Sequence, residues 1–225
     1  MNHNDLLELL LAARDSETGE ALSNAEIRDQ CGTILAAGHE TTARLLFWTT
    51  YLLTLDLAQQ NRVRAEVAAF PPDRVTRLED LINWPNARHT LLEALRLYPP
   101  VAYMTREAIA DDIVGSEPVR PGTQIWISPW VLHRHRKFWD QPTAFKPERF
   151  ASKPASWTND GAFMPFGAGP HICIGATFAL VEAQIMLATL LSRVKITLDD
   201  PRPVLPVARL TTAPCYDPLF QFERV

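Results

Sequence analysis

The segment from Phe163 to Gly175 constrains this chain most, because a single cysteine, Cys173, lies there in a loop dense with glycine and proline. The residues that follow, ATFALVEAQIMLATLLSRV, have an apolar pattern that predicts a helix of several turns. Cys173 is therefore expected at a helix N-terminus, where unpaired N–H groups and the helix dipole favour an anion. A thiolate there would be a metal ligand. A small buried cysteine after an ordinary turn fits the same local pattern.

The composition is that of an ordinary globular protein, with 47% hydrophobic and 21% charged residues among 225. A net charge of −4 gives no basic field for nucleic acid, so no nucleic-acid partner is expected. Cys31, Cys173 and Cys215 are odd in number and widely spaced, which excludes a disulfide framework or a C-x-x-C zinc pattern and favours a reducing compartment. The apolar run near the start is broken by Glu8 and reads as neither a signal peptide nor a membrane span. We therefore expect a cytoplasmic protein.

A long helix is predicted from about Ala25 to about Leu55, and its length suggests that it crosses the core. Its start is marked by Ser23 and Glu26, which have the spacing of a capping box.

The segment AAGHETTA, residues 36–43, predicts an interruption of that helix, because Gly38 and the pair Thr41 and Thr42 are poor helix formers. A threonine hydroxyl can also bond back to an earlier carbonyl and bend the helix. By itself the segment favours a glycine-weakened core helix with satisfied hydroxyl groups over a functional site.

A further helix is predicted from Pro85 to Leu97, since proline is favoured at the first helical position and residues 98–100, Tyr-Pro-Pro, forbid continuation. Within it Glu93 and Arg96 share a face at a spacing of three. Taken alone, they are an ordinary surface ion pair.

The rest of the chain predicts helices and short strands. Residues 57–70 read as a helix with the charge pair Arg62 and Glu66, and residues 101–130 as strands and turns. Residues 131–137 read as a short helix and residues 138–160 as a long proline-containing loop.

Phe166, Gly169, His171, Cys173 and Gly175 together spell F-x-x-G-x-H-x-C-x-G. This pattern resembles the haem-thiolate loop of the cytochromes P450, with histidine where those proteins more often have arginine. Three other motifs resemble that family in the family's order: A-G-H-E-T, E-A-L-R followed by L-Y-P-P, and P-E-R-F.

The resemblance covers the chain from about Asp5 onward and corresponds to the C-terminal half of a P450. It implies a mainly α protein with small β-sheets (α+β), containing the long central helix and the Cys-ligand loop. On this basis the partial P450 domain, residues 1–225, divides into five segments. They are a distal-helix segment 1–56, core helices 57–100, small sheets and meander 101–160, the haem-binding loop and following helix 161–193, and C-terminal strands 194–225.

The resemblance implies haem b (iron protoporphyrin IX) as the cofactor, with Cys173 as the metal ligand. His171 would meet a haem propionate. Arg106 falls where the family usually supplies a second propionate contact, although alone it reads as an ordinary strand-surface arginine. The cofactor-binding residues implied in this way are Cys173, His171, Phe166, Gly167, Gly169, Gly175, Arg106 and Gly38.

The resemblance assigns catalytic roles to Thr41 and Glu40. Gly38 would leave space for dioxygen, Thr41 would place a hydroxyl near it, and Glu40 would supply the protons that its reduction consumes. Glu93 and Arg96 would be buried and locked to an arginine of a later loop, for which Arg149 is the candidate. Buried charges must be paired and hydrogen-bonded, so these three residues would be structural.

The implied function is that of a haem-thiolate monooxygenase, which activates O2 and inserts one oxygen atom into a small organic substrate. A redox partner, a ferredoxin or a flavin reductase, would supply two electrons. We expect either a missing N-terminal P450 half or a truncated gene product with little activity. The alternatives are a non-catalytic haem-binding fragment or pseudo-enzyme, and a remnant that binds no haem.

Overall fold

One long helix organises the first part of the chain. The computed structural model describes residues 5–151, 161–200 and 202–225, and in it helix α2 runs Asn24–Leu55. Its capping box forms as predicted: the Ser23 backbone N–H donates to Glu26 Oε2 at 2.7 Å, and the Glu26 N–H donates to Ser23 Oγ at 3.3 Å.

The predicted interruption at residues 36–43 is wrong, because α2 is helical throughout. The Thr41 hydroxyl donates to the Ala37 carbonyl at 2.7 Å, so its hydrogen-bonding need is met inside the helix. One glycine in a helix interior costs only about 1 kcal/mol, which a long cooperative helix tolerates.

Five other α-helices accompany α2 in the described part of the chain. They are α1 Leu6–Ala12, α3 Leu57–Ala69, α4 Pro85–Leu97, α5 Pro129–Leu132 and α6 Ala176–Arg193. Helix α4 has the predicted bounds. The short helix predicted at residues 131–137 lies earlier, because the Ser128 side chain caps the Val131 N–H at 3.3 Å and Pro129 occupies the first turn.

The described strands form two-stranded antiparallel sheets. The pairs are β1 Met104–Glu107 with β4 Gln124–Ile127, β2 Asp112–Val114 with β3 Glu117–Val119, β5 Val194–Leu198 with β8 Phe220–Arg224, and β6 Pro206–Ala208 with β7 Thr212–Pro214. Pro118, Pro206 and Pro214 lie in these strands and have no backbone N–H to donate to a ladder.

The chain divides into two compact units, Met1–Thr41 and Thr42–Val225. The five segments expected from the resemblance stay a prediction, and residues 152–160 of the expected meander lie outside the described residues.

The core of the second unit is built where α3, α4, α6 and the last turns of α2 pack together. Trp84, Leu91, Leu53 and Leu187 are at most 1% exposed in one apolar cluster. This cluster fixes the C-terminal half of α4 and the helix that follows the cysteine loop.

Among the described residues one helix, α6, is long and apolar enough by length and composition to cross a membrane. Its Ala183, Leu187, Ala188 and Leu191 are core residues of the apolar cluster. The core helix of a soluble protein passes the same test, so α6 is weak evidence for a membrane span.

Candidate functional site

The cysteine loop closes on itself around Cys173. The Cys173 N–H donates to the Phe166 carbonyl at 2.9 Å, and the Ala176 N–H that begins α6 donates to the Cys173 carbonyl at 3.4 Å. Gly175 is the residue before the helix, so Cys173 lies at the N-terminus of α6 as the sequence predicted. The thiol-bearing residue is exposed. A buried packing cysteine is therefore excluded.

Two glycines of the loop are required by the backbone. Gly167 has φ 78° and Gly169 has φ 73°, in the left-handed region that side chains rarely adopt. At Gly167 a Cβ would also approach Met104 Sδ to 3.4 Å. These turns bring the loop back so that the Phe166 carbonyl reaches the Cys173 N–H.

The other residues of the loop lie close to Cys173 in the sequence. His171 is exposed and ends a short 3-10 turn, Gly169–His171. Phe166 packs against the main apolar cluster. Ile174 and Phe178 are 92% and 72% exposed, so much apolar surface lies open near Cys173 in the chain.

The donor set fits a metal that brings most of its own ligands. Among residues 5–151, 161–200 and 202–225, no group of three or more His, Cys, Asp or Glu side chains could hold a metal ion. A single exposed sulfur fits a haem iron, because the porphyrin would bring its own nitrogen ligands and the protein would need to add only a thiolate.

Glu93, Arg96 and Arg149 are brought together. Arg96 Nε donates to Glu93 Oε2 at 2.7 Å and Nη2 to Oε1 at 2.8 Å, a bidentate pair whose side chains are both 0% exposed. Arg149 Nε donates to Glu93 Oε1 at 3.1 Å, and the Lys146 N–H donates to the same oxygen at 2.8 Å. The pair is therefore not the ordinary surface ion pair that its spacing alone would suggest.

Carbonyl groups take the remaining N–H bonds of Arg96. Its Nη1 donates to the His133 carbonyl at 2.8 Å and to the Pro142 carbonyl at 2.6 Å, and its Nη2 donates to the Ala144 carbonyl at 3.0 Å. The guanidinium also lies over the Trp139 ring, 5.0 Å from its centroid. Arg96 thus links α4 to α5 and to the loop that follows α5.

The residues of the predicted oxygen-activation segment follow one another on α2. Gly38 is exposed, whereas Glu40 and Thr41 are half-buried. A Cβ built on Gly38 would meet no atom within 4 Å, so open space lies beside it. The Thr41 hydroxyl donates to the Ala37 carbonyl at 2.7 Å, which fixes its rotamer.

Arg106 lies on β1, opposite Ile125 of β4. It is half-exposed, and its Nη1 donates to the Thr105 carbonyl at 2.8 Å. The guanidinium has further N–H groups that could bind a carboxylate.

Reasoning from the sequence missed His133, which it placed in a short helix without assigning it a role. Its side chain is fully buried, and its Nε2 accepts a hydrogen bond from the Met164 N–H at 2.9 Å. Its neighbours in the chain, Leu132 and Arg134, gave no signal that would single it out.

The sequence model described as "Cytochrome P450" matches residues 1–214. The chain belongs to the cytochrome P450 family. A similar relative is the cyclooctat-9-en-7-ol 5-monooxygenase of Streptomyces melanosporofaciens, 39% identical over 85% of this chain and 42% of that protein. A cytokinin hydroxylase of Arabidopsis thaliana is 38% identical over 94% of this chain and 41% of its own length.

A solved structure, the cytochrome P450DA heme domain, has a TM-score of 0.89 and 34% identity, and the match covers 98% of this chain and 49% of that one. The expected fold, mainly helical with small sheets, is therefore confirmed. The chain spans about half the length, or less, of the P450 proteins it matches. Membership of the family implies a haem iron as the cofactor, and the donor set around Cys173 fits one.

Proposed function

We propose that this chain is the C-terminal portion of a haem-thiolate monooxygenase, in which Cys173 would hold the iron of haem b. The observation that carries the proposal is the exposed Cys173, held by the Phe166 carbonyl at the N-terminus of α6. Relatives named as a monooxygenase and a hydroxylase support the reaction class.

The chain's own residues hold and orient the cofactor in this proposal. The bound haem would activate O2, so that one oxygen atom enters a small organic substrate and the other leaves as water. Gly167 and Gly169 set the turns that present the thiolate. His171 and Arg106 would hold the two propionates, since both are at least partly exposed and can donate to carboxylates.

Thr41 and Glu40 would move protons in this proposal. A hydroxyl has one donor and two acceptor positions, so Thr41, whose own proton is donated to the Ala37 carbonyl, keeps two lone pairs that can accept a hydrogen bond from the group that carries the proton. The bond to Ala37 holds that oxygen in place. Thr41→Ala in a form that turns over should keep haem and reductant consumption but divert electrons to hydrogen peroxide. An unchanged product yield per electron, compared with wild type, would contradict the relay.

The partners follow from the reaction. We infer a small organic substrate, O2, and a ferredoxin or flavin reductase that delivers two electrons. An N-terminal P450 half would complete the substrate pocket, and the proposed compartment is the cytoplasm. No nucleic-acid partner is proposed.

A non-catalytic haem-binding fragment is the second candidate, because this chain matches only 49% of a P450 heme domain. The reduced-CO difference spectrum separates the possibilities. A thiolate-type Soret band supports the ligand assignment, a shifted inactive-type band supports a pseudo-enzyme, and no band supports a remnant.

The experiment that tests the ligand is Cys173→Ala with haem supplied during expression. The thiolate-type absorption should disappear, because the substitution removes the sulfur that gives rise to it. Cys31→Ala and Cys215→Ala are matched controls and should keep it. A normal spectrum from Cys173→Ala would refute the assignment.

A further inference from the structure

His133 connects the buried ion network to the cysteine loop. It follows α5, and its carbonyl accepts from Arg96 Nη1 at 2.8 Å. Its ring accepts from the Met164 N–H through Nε2 at 2.9 Å. The side chain is 0% exposed, so neither contact competes with water.

The geometry determines the state of the His133 ring. Because Nε2 accepts, the ring proton of the neutral form must lie on Nδ1, and no described group accepts from Nδ1 at normal hydrogen-bond geometry. Burial lowers the pKa of His133 to about 3, helped by the positive charges of Arg96 and Arg134 and only partly offset by the backbone of Leu95 and Arg96. Nε2 is therefore an acceptor throughout the physiological pH range.

Nδ1 has no acceptor at normal hydrogen-bond geometry, so the well-formed hydrogen bond of this ring is the one that Nε2 accepts. Nε2 holds the backbone at the base of the cysteine loop. The carbonyl of the same Met164 accepts from the Gly167 N–H at 3.1 Å. The next contact, from the Cys173 N–H to the Phe166 carbonyl at 2.9 Å, places the cysteine.

The aromatic neighbour fixes the ring from the side. The centroids of His133 and Phe163 are 5.1 Å apart, and Phe163 is itself 5% exposed. A ring packed in this way has little freedom to rotate, so its acceptor stays directed at the Met164 amide.

We propose that His133 is a positioning residue for the cysteine loop, in which its Nε2 holds the Met164 amide and ties the loop to Arg96. The functional consequence rests on the proposed role of Cys173 as the haem ligand. The hydrogen bond between the Met164 amide and His133 Nε2 does not rest on that role. The positioning by His133 and the haem ligation by Cys173 can therefore be tested separately.

The test compares His133→Gln with His133→Asn in the full 225-residue chain. A glutamine amide oxygen reaches about as far from the backbone as Nε2, whereas the asparagine oxygen reaches only as far as Nδ1. Hydrogen exchange read by mass spectrometry should be roughly five- to tenfold faster across residues 164–173 in His133→Asn, as expected for the loss of one buried hydrogen bond. In His133→Gln it should stay within about twofold of wild type.

Val63→Ala is the control for general destabilisation, because Val63 is fully buried in α3 and makes no contact with the loop through hydrogen bonds. It should raise exchange across the core without selecting residues 164–173. Faster exchange spread evenly over the chain in His133→Asn, or equal exchange in the Gln and Asn variants, would overturn the proposal.

A second readout uses the haem-loaded chain. His133→Asn should convert from the thiolate-type to the inactive-type reduced-CO spectrum faster than His133→Gln. If Cys173→Ala kept its thiolate-type spectrum, the proposed function would fail while the exchange result still decided the role of His133. Equal conversion rates, with the exchange difference present, would overturn the link from the loop to the ligand.

Discussion

At the scale of single residues, the Arg96 guanidinium shows how a buried charge is accommodated. Each of its N–H bonds has an acceptor: two oxygens of Glu93 and the carbonyls of His133, Pro142 and Ala144. Complete satisfaction is the condition under which a fully buried ion can be kept. The network therefore depends on every partner being present.

Arg96→Leu is expected to destabilise the chain by ~3–5 kcal/mol, because it leaves the buried Glu93 carboxylate without its bidentate partner. Denaturant unfolding followed by circular dichroism measures the loss. Arg62→Leu is the matched control, since Arg62 is exposed and its Nη1 makes only a long contact, 3.4 Å, to Gln59 Oε1. The free energy of unfolding of Arg62→Leu should stay within about 0.5 kcal/mol of that of wild type.

The loss of unfolding free energy in Arg149→Leu should lie between the losses in Arg96→Leu and Arg62→Leu. Its side chain is 13% exposed, and water can replace part of its contact with Glu93. Equal unfolding free energies for Arg96→Leu and Arg62→Leu would show that the network is not stabilising in solution.

At the scale of elements, α4 begins without a capping side chain of its own. Glu66 of α3 takes that role. Its Oε2 accepts from the Asn86 N–H at 2.8 Å, and its Oε1 accepts from the Ala87 N–H at 2.6 Å. The intrahelical pair of Arg62 with Glu66 expected from their spacing therefore gives way to a contact between helices.

Burial raises the pKa of Glu66, and its hydrogen bonds to Ala87 and Asn86 act in the opposite direction. A half-buried carboxylate at a helix N-terminus satisfies N–H groups that would otherwise have no partner. Helix α4 carries Glu93 and Arg96, so this cap also supports the ion network.

Glu66→Ala is expected to cost ~1–3 kcal/mol, since two backbone amide groups in part-buried hydrogen bonds at the start of α4 lose their acceptor. Thermal unfolding measures it, and Glu79→Ala, at an exposed position of a nearby 3-10 helix, is the control. Glu66→Gln, which keeps one acceptor oxygen, should recover part of the loss. A Glu66→Ala melting curve identical to that of the control would argue against the cap.

At the scale of the whole molecule, resistance to acid is tied to the buried His133. Its pKa is lowered to about 3 in the folded chain, chiefly by burial, against 6.5 in the unfolded chain. Between these values the unfolded state binds the proton and the folded state does not, so stability is lost as the pH falls. The contribution is on the order of a few kcal/mol over the window.

The free energy of unfolding should therefore fall between about pH 6.5 and pH 3, and fall less in His133→Gln, which has no proton to bind. Carboxylates with lowered pKa values, such as Asp80, also lose their contribution as the pH falls, but they are the same in both chains. The measurement is urea unfolding at a series of pH values. If the free energy of unfolding changed with pH in the same way in wild type and in His133→Gln, the lowered pKa of His133 would be contradicted.

Much of the local structure could be predicted from the sequence. Pro85 and Tyr98-Pro99-Pro100 bound α4, the pair Ser23 and Glu26 starts α2, and the glycine-rich loop places Cys173 at the start of α6. Each of these signals acts within a few residues along the chain, where backbone restrictions and capping are decided. The spaced motifs likewise carried the assignment to the P450 family.

Only the tertiary structure decided which groups are buried and what they contact. Glu93 and Arg149 are 56 residues apart, and their contact at 3.1 Å depends on the loop after α5 returning to α4. The continuity of α2, the cap from Glu66 and the burial of His133 also differ from what the local pattern indicated. The reason is physical: desolvation and long-range hydrogen bonds depend on which segments pack together, and a residue's neighbours in the chain do not specify that.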